Sequence, residues 1–444
     1  MYNKESLHIL QRALDKLSEG FAELPPFAEE IPPGVEEVLL QAAERMQDNF
    51  PYQHPLYAGQ MLKPPHEIAR LAYMLAMWIN PNNHALDGGR ASSAMEKEAV
   101  AEIALLFGWK EHLGHLTSSG TFANLEALWV ASLIHPKKKI LASELAHYTH
   151  ERISHVLGIK FQKLSCTRTG EMDLKKLEAQ LKKGNVGTVV VTMGTTGIGS
   201  VDPLPEILAL QKRYAFRIHL DAAYGGYFRL AGQLSEGTAK KYALMQEADS
   251  IVVDPHKHGL QPYGCGCILF KDTSVGRFYK HDSPYTYFSS EELHLGEISL
   301  ECSRAGAAAV GLWATQQFLP LVKEGAFAQQ ISSSHRAAEG LYKKIIADKR
   351  FIVLQEPEID IVIWAQKKKS VSEISRTSKA IFEKAASKHL HLALINYPVH
   401  LLPKGWRGII KDEEYVSCLR SCLMKAEHEA WIDEIWRIIT ESIS

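Results

Sequence analysis

Between about residues 66 and 325, short apolar runs alternate with helical patterns, and no other feature restricts the fold as tightly. The runs cover 139–142, 160–164, 188–192, 216–220, 250–253 and 267–270. Between them, Leu174, Leu177 and Leu181 follow Asp173 at helical spacing, and Ile207 and Leu208 follow Asp202 and Pro203. Asp173 and Asp202 read as helix caps, with Pro203 in a first turn. Strand and helix in alternation predict an α/β layer with a mostly parallel sheet, whose ligands gather at the C-terminal strand ends. Beyond about 330, runs at 351–354, 359–364, 392–395 and 415–418 alternate with helical stretches at 372–387 and 426–439, which predicts a small α+β domain. Residues 1–65 hold an amphipathic helix with Leu10, Leu14 and Leu17, then proline-rich turns, and lack a core of their own. The expected organisation is therefore a dimer-wrapping segment at 1–65, a large α/β domain at 66–325 and a small C-terminal domain at 326–444.

Charge and composition narrow the partners. Of 444 residues, 46% are apolar, enough for a sizeable core, and 50 basic side chains face 51 acidic ones. A balance this close to neutral gives no electrostatic case for nucleic acid or an anionic membrane. The apolar runs at 71–79 and 305–314 fall short of the ~20 residues of a membrane span. The polar N-terminus does not resemble a secretory signal, and six cysteines without paired C-x-x-C sets suit reduced thiols, so a cytoplasmic protein is expected.

Three segments carry chemistry. Lys257, in Asp254-Pro255-His256-Lys257-His258-Gly259, follows the apolar run at 251–253, and a lysine at the end of a buried strand suits imine formation, which needs a neutral amine. The run at 216–220 delivers Asp221, in Asp221-Ala222-Ala223-Tyr224, to a strand end. A carboxylate there can keep a heterocyclic nitrogen protonated: at ~3 Å and an effective dielectric of ~20 the Coulomb attraction is about 5 kcal/mol before desolvation. In Thr117-Ser118-Ser119-Gly120-Thr121, a small-residue turn enters a helical pattern, and hydroxyls with free N–H groups at a helix start suit a phosphate monoester. Taken singly, Asp221 reads as readily as a turn cap, and Ser119 as a plain N-cap.

In this order the three segments resemble the group II amino acid decarboxylases, which use pyridoxal phosphate (PLP) and have the aspartate aminotransferase fold, fold type I. The likeness runs from about His54 to about Thr315, through His54-Pro55-Leu56-Tyr57, Gly194-Thr195-Thr196-Gly197 and Ser303-Arg304-Ala305-Gly306, and its motif style is that of the tyrosine/aspartate decarboxylase branch. It implies a seven-stranded-type sheet, a homodimer with its active site at the interface, and an L-amino acid substrate losing carbon dioxide. It further implies that Lys257 binds the cofactor covalently, Asp221 pairs with the ring nitrogen and Ala223 lies beside it. Ser119, Gly120 and Thr121 would hold the phosphate with His256 nearby, His147 would stack on the ring, and Thr196 would approach the phenolic oxygen. Tyr285 would protonate the substrate carbon, with Tyr287 the alternative. Departures from the family pattern are Asp254 where many members have asparagine, His258 after the lysine, and Ala94 at a commonly acidic position. Asn83 and His84 would favour a polar substrate side chain.

Other readings stand beside this one. Carbon–carbon cleavage of the sphingosine phosphate lyase kind uses the same lysine and aspartate, oxidative decarboxylation to an aldehyde is tied to the loop tyrosine, and an inactive PLP-binding protein would keep the same site. A metal hydrolase built on His147, His150, Glu151 and His155 has helical spacing but not the His-Glu-x-x-His pattern, and leaves Asp221 and Lys257 without a task.

Overall fold

A computed structural model describes residues 3–25, 30–280 and 295–443. Among these, seven strands form one sheet: β1 (Leu113–Thr117), β2 (Lys139–Ser143), β3 (Phe161–Leu164), β4 (Val186–Thr192), β5 (Arg217–Asp221), β6 (Ser250–Val253) and β7 (Gly266–Phe270). Their order is β1-β7-β6-β5-β4-β2-β3, and β7 alone runs against the others. The sequence Val-Gly-Thr-Val-Val-Val-Thr of β4 is buried throughout, as expected where helices cover both faces of a parallel sheet.

Helices α1 (Lys4–Glu19) and α2 (Val35–Met46) precede the sheet, and α3 (Glu67–Met77) and α4 (Arg90–Leu106) lead into it. Between strands run α5 (Gly120–Ile134), α6 (Thr149–Val156), α7 (Leu174–Leu181), α8 (Leu204–Gln211) and α9 (Glu236–Ala243). Then α10 (Gly306–Phe318) packs on α3 and α4. Asp173 caps α7 as expected, accepting from the Lys175 and Lys176 amides at 2.9 and 3.2 Å. Asp202 does not cap α8. It is fully buried, and its two oxygens accept from the amides of Met172 and Thr192, both at 2.8 Å, fastening the turn before α7 to the end of β4. Burial pushes its carboxyl up to about 7, against the pull of those two N–H donors.

Strand β1 is missing from the sequence reading because Gly114 and His115 interrupt its apolar run. The structure accommodates both. A Cβ at Gly114 would lie 2.6 Å from the Ile268 carbonyl oxygen, and the buried His115 places Nε2 2.9 Å from Glu126 of α5.

The second sheet joins β8 (Phe351–Val353), β9 (Ile361–Gln366), β10 (Ala393–Pro398) and β11 (Tyr415–Cys422), all antiparallel, in the order β10-β11-β9-β8. Helices α11 (Ala326–Ala347), α12 (Val371–Ala386) and α13 (His428–Ser442) pack around it. β11 runs four residues past the expected end because Leu419–Cys422 pair with β9. Ala58 is fastened between His391 and Cys422 by backbone hydrogen bonds of 2.9 and 2.7 Å. One continuous apolar cluster runs from Ile103 and Leu220 into Ile361 and Val416, so the two sheets share a core. By contrast α2 buries no residue, and Val38, Leu39, Leu40 and Met46 are each more than 60% exposed.

Candidate active site

Strands β1, β2, β4, β5 and β6 are mutually parallel, so the segments that follow them meet along one sheet edge. There they surround a cavity of about 160 Å³. Ser119, Gly120, Thr121, His147, Thr196, Asp221, Ala223, His256 and Lys257 all line it. Tyr285 and its alternative Tyr287 lie outside the described residues.

Asp221 ends β5 and is 5% exposed. One oxygen accepts from the Ala223 amide at 3.2 Å, and the other lies 2.8 Å from His150 Nε2. Burial alone would push this carboxyl up. The hydrogen bond and charge of His150, helped by Lys257, outweigh it and hold the group well below the ordinary carboxylate range. Behind it His219 is locked between Ser250 Oγ at 2.9 Å and Asn124 Oδ1 at 2.8 Å, and burial lowers its imidazole to about 3, so it stays neutral.

His147 precedes α6. Its Nδ1 is 2.8 Å from the Thr149 hydroxyl and accepts from the Thr149 amide at 3.4 Å, which leaves Nε2 for the cavity. Burial lowers this imidazole too, against the Asp221 charge. On the far side Ser119 caps α5 by accepting from the Phe122 amide at 3.3 Å, so Gly120 and Thr121 stand at the helix start. Lys257 lies in the turn after β6, with Nζ 2.9 Å from Asp254 Oδ2. His256 donates through Nδ1 to the Cys265 carbonyl at 2.7 Å, and burial lowers its imidazole.

Several contributors were not assigned from sequence. His150 is the buried partner of Asp221, and Glu151 turns outward to Lys163 at 2.7 Å, so these two residues of the alternative metal set serve other partners. The His147 to His150 spacing, from the turn before α6 into its first residues, was the available signal. Tyr224 donates to Asp360 at 2.8 Å, and His258, after the neighbouring strand β6, sits 3.0 Å from the same carboxylate. Arg420 of β11 reaches the carbonyls of Thr196 at 2.9 Å and Gly197 and Gly59 at 3.1 Å. Asn83, expected to favour a polar substrate side chain, is fully buried and donates to Glu96 at 2.6 Å.

The arrangement fits a flat heterocycle with a basic nitrogen at one end and a phosphate at the other, carrying a carbonyl between them. Asp221 is kept ionised on one side, the α5 N-terminus lies on another, and Lys257 lines the same cavity. These are the demands of PLP.

Comparison with known proteins agrees. The family model described as the pyridoxal-dependent decarboxylase conserved domain matches residues 28–367. The chain is 26% identical to an L-tyrosine decarboxylase of Enterococcus faecium, over 76% of this chain and 73% of that one. It is 27% identical to an L-aspartate decarboxylase of Thermococcus kodakarensis, over 78% and 88%. Among solved structures, mouse CSAD superposes with a TM-score of 0.79 at 19% identity, covering 97% of this chain and 92% of that one. Oryza sativa TDC with PLP and tryptamine superposes with a TM-score of 0.78 at 16% identity, covering 100% and 99%. The match across most of the chain, on a fold that gathers Asp221 and Lys257 at one sheet edge, establishes that this protein belongs to the pyridoxal-dependent decarboxylases, with PLP as its cofactor.

Proposed function

We propose that this protein converts an L-amino acid to its amine and carbon dioxide, with Lys257 as the cofactor-binding lysine and Asp221 as the partner of the ring nitrogen. The observation that carries this reading is the joint opening of Lys257 and a His150-bonded Asp221 into one cavity. When bound, PLP supplies an electron sink for the bond broken at the substrate's α-carbon. The chain's own residues do the rest. Asp221 keeps a proton on the nitrogen it faces, because its charge is held by His150 at one oxygen and the Ala223 amide at the other. His147, fixed through Nδ1, presents Nε2 to the substrate side of the cavity. Ser119, Gly120 and Thr121 receive the phosphate, and Ala223, Thr196 and His256 frame the remaining sides.

Arg420 braces the turn that carries Thr196 to the cavity, through the carbonyls of Thr196 and Gly197. It is 4% exposed and donates to neutral oxygens of Thr196, Gly197, Gly59 and Gln60. Tyr285 remains the proposed acid that protonates the substrate carbon. No observation favours carbon–carbon cleavage or an inactive cofactor carrier over this reading.

We read the protein as a cytoplasmic homodimer in which residues 1–65 wrap the partner; among the described residues no helix is long and apolar enough to cross a membrane. The exposed apolar side chains of α2 support the dimer. The deciding experiment combines borohydride trapping with a panel assay of carbon dioxide release, in which L-tyrosine and L-aspartate come first. A phosphopyridoxyl label on Lys257 and release from at least one amino acid are expected. A label on another lysine, or no release from any member, would refute the assignment.

A further inference from the structure

Asp254 places a carboxylate where the cofactor's phosphate is expected. It leaves β6 and is 2% exposed. A Cβ built at Gly120 would lie 2.4 and 2.5 Å from its two oxygens, so the carboxylate rests directly on the first residue of α5. Oδ2 is 2.9 Å from Lys257 Nζ and 3.5 Å from His256 Nε2. Oδ1 is buried and has no hydrogen-bond partner among the described residues. The backbone gives the side chain little room to retreat: the Asp254 amide donates to Ala223 at 3.2 Å, and its carbonyl accepts from the Lys257 amide at 2.9 Å.

A helix N-terminus favours any anion, an internal carboxylate as much as an incoming phosphate. Here both are directed at α5, and the internal one also engages the cationic side chain at position 257. Like charges brought together in a buried site weaken binding, and a ligand phosphate meets that opposition on every approach. Resting on the reading that Ser119 to Thr121 receive the phosphate, we propose that Asp254 loosens the grip on it. The cofactor is then retained mainly through Lys257 and Asp221, and it exchanges readily with free PLP in solution.

The test measures dissociation constants of the cofactor-stripped, full-length protein for PLP, pyridoxal and inorganic phosphate. Pyridoxal lacks the phosphate and reports the Lys257 end alone, so the pyridoxal-to-PLP ratio isolates the phosphate contribution. Asp254→Asn keeps the shape and removes the charge. It should raise that ratio by about tenfold or more and tighten inorganic phosphate by a similar factor. A ratio that stays level or falls overturns the proposal. Should the variant not fold, the native protein decides: a ratio below about a hundredfold supports a loose phosphate grip, and a higher one overturns it. Failure to bind PLP at all would overturn the cofactor reading and this one with it, whereas an unmoved ratio overturns this one alone.

Discussion

At the scale of single residues, Asp221 carries the greatest chemical demand. Asp221→Asn should keep the fold and bind cofactor, because its one amide oxygen can still accept from the Ala223 amide while its NH2 donates to His150 Nε2 in the other tautomer. A neutral amide cannot hold the ring nitrogen protonated, so turnover should fall by at least ~10³-fold, equal to several kcal/mol at 1.36 kcal/mol per decade. Single-turnover and steady-state rates on the cofactor-loaded variant provide the check, and near-native turnover would remove the role. Asp221 and Lys257 were legible in sequence because each sits in a short motif at a strand end, and the Ser119 turn because it opens a helical pattern. The residues that hold them were not. His150 is 71 positions from Asp221, Asp360 is 136 from Tyr224, and Arg420 is 224 from Thr196. Such pairings follow from the folded path of the chain, and no local pattern announces them.

At the scale of elements, periodicity marked most strands and went astray where a polar residue had a buried task. His115 hid β1 because its Glu126 partner lies on the next helix. Asp202 resembled a cap for α8 and instead joins β4 to the turn before α7. That junction has a pH signature. A carboxyl raised from 3.8 to about 7 by folding favours the protonated state, so its stabilising effect is complete below about pH 4 and is lost as pH rises toward 7. Asp202→Asn cannot ionise and should flatten the decline of melting temperature across that window. The variant's amide has one acceptor oxygen for two N–H donors, and a cost of about 1–3 kcal/mol is expected at low pH. An unchanged slope in thermal unfolding between pH 4 and 7 would clear Asp202 of this part.

At the scale of the whole molecule, residues 1–65 divide in behaviour. Ala58 is tied into the second sheet, while α2 lies open with its apolar side chains in solvent. Deleting residues 1–50 keeps the Ala58 strip and removes the exposed face, so the truncated chain should lose its dimer and its activity together. Light scattering paired with the carbon dioxide assay tests this, and a stable, fully active monomer would refute it.

The contact of Asp360 with both Tyr224 and His258 bears on how far this chain can be divided. Every residue lining the cavity lies at or before position 257. The carboxylate that seats the turns after Asp221 and Lys257 nevertheless comes from the entrance to β9, and β9 is held in its sheet by β11 near the far end of the chain. A fragment containing all the lining residues would therefore carry the reagents without their mounting. No boundary can be drawn that gives the first sheet a self-sufficient site, and transplanting the cavity onto another scaffold would require the second sheet to travel with it.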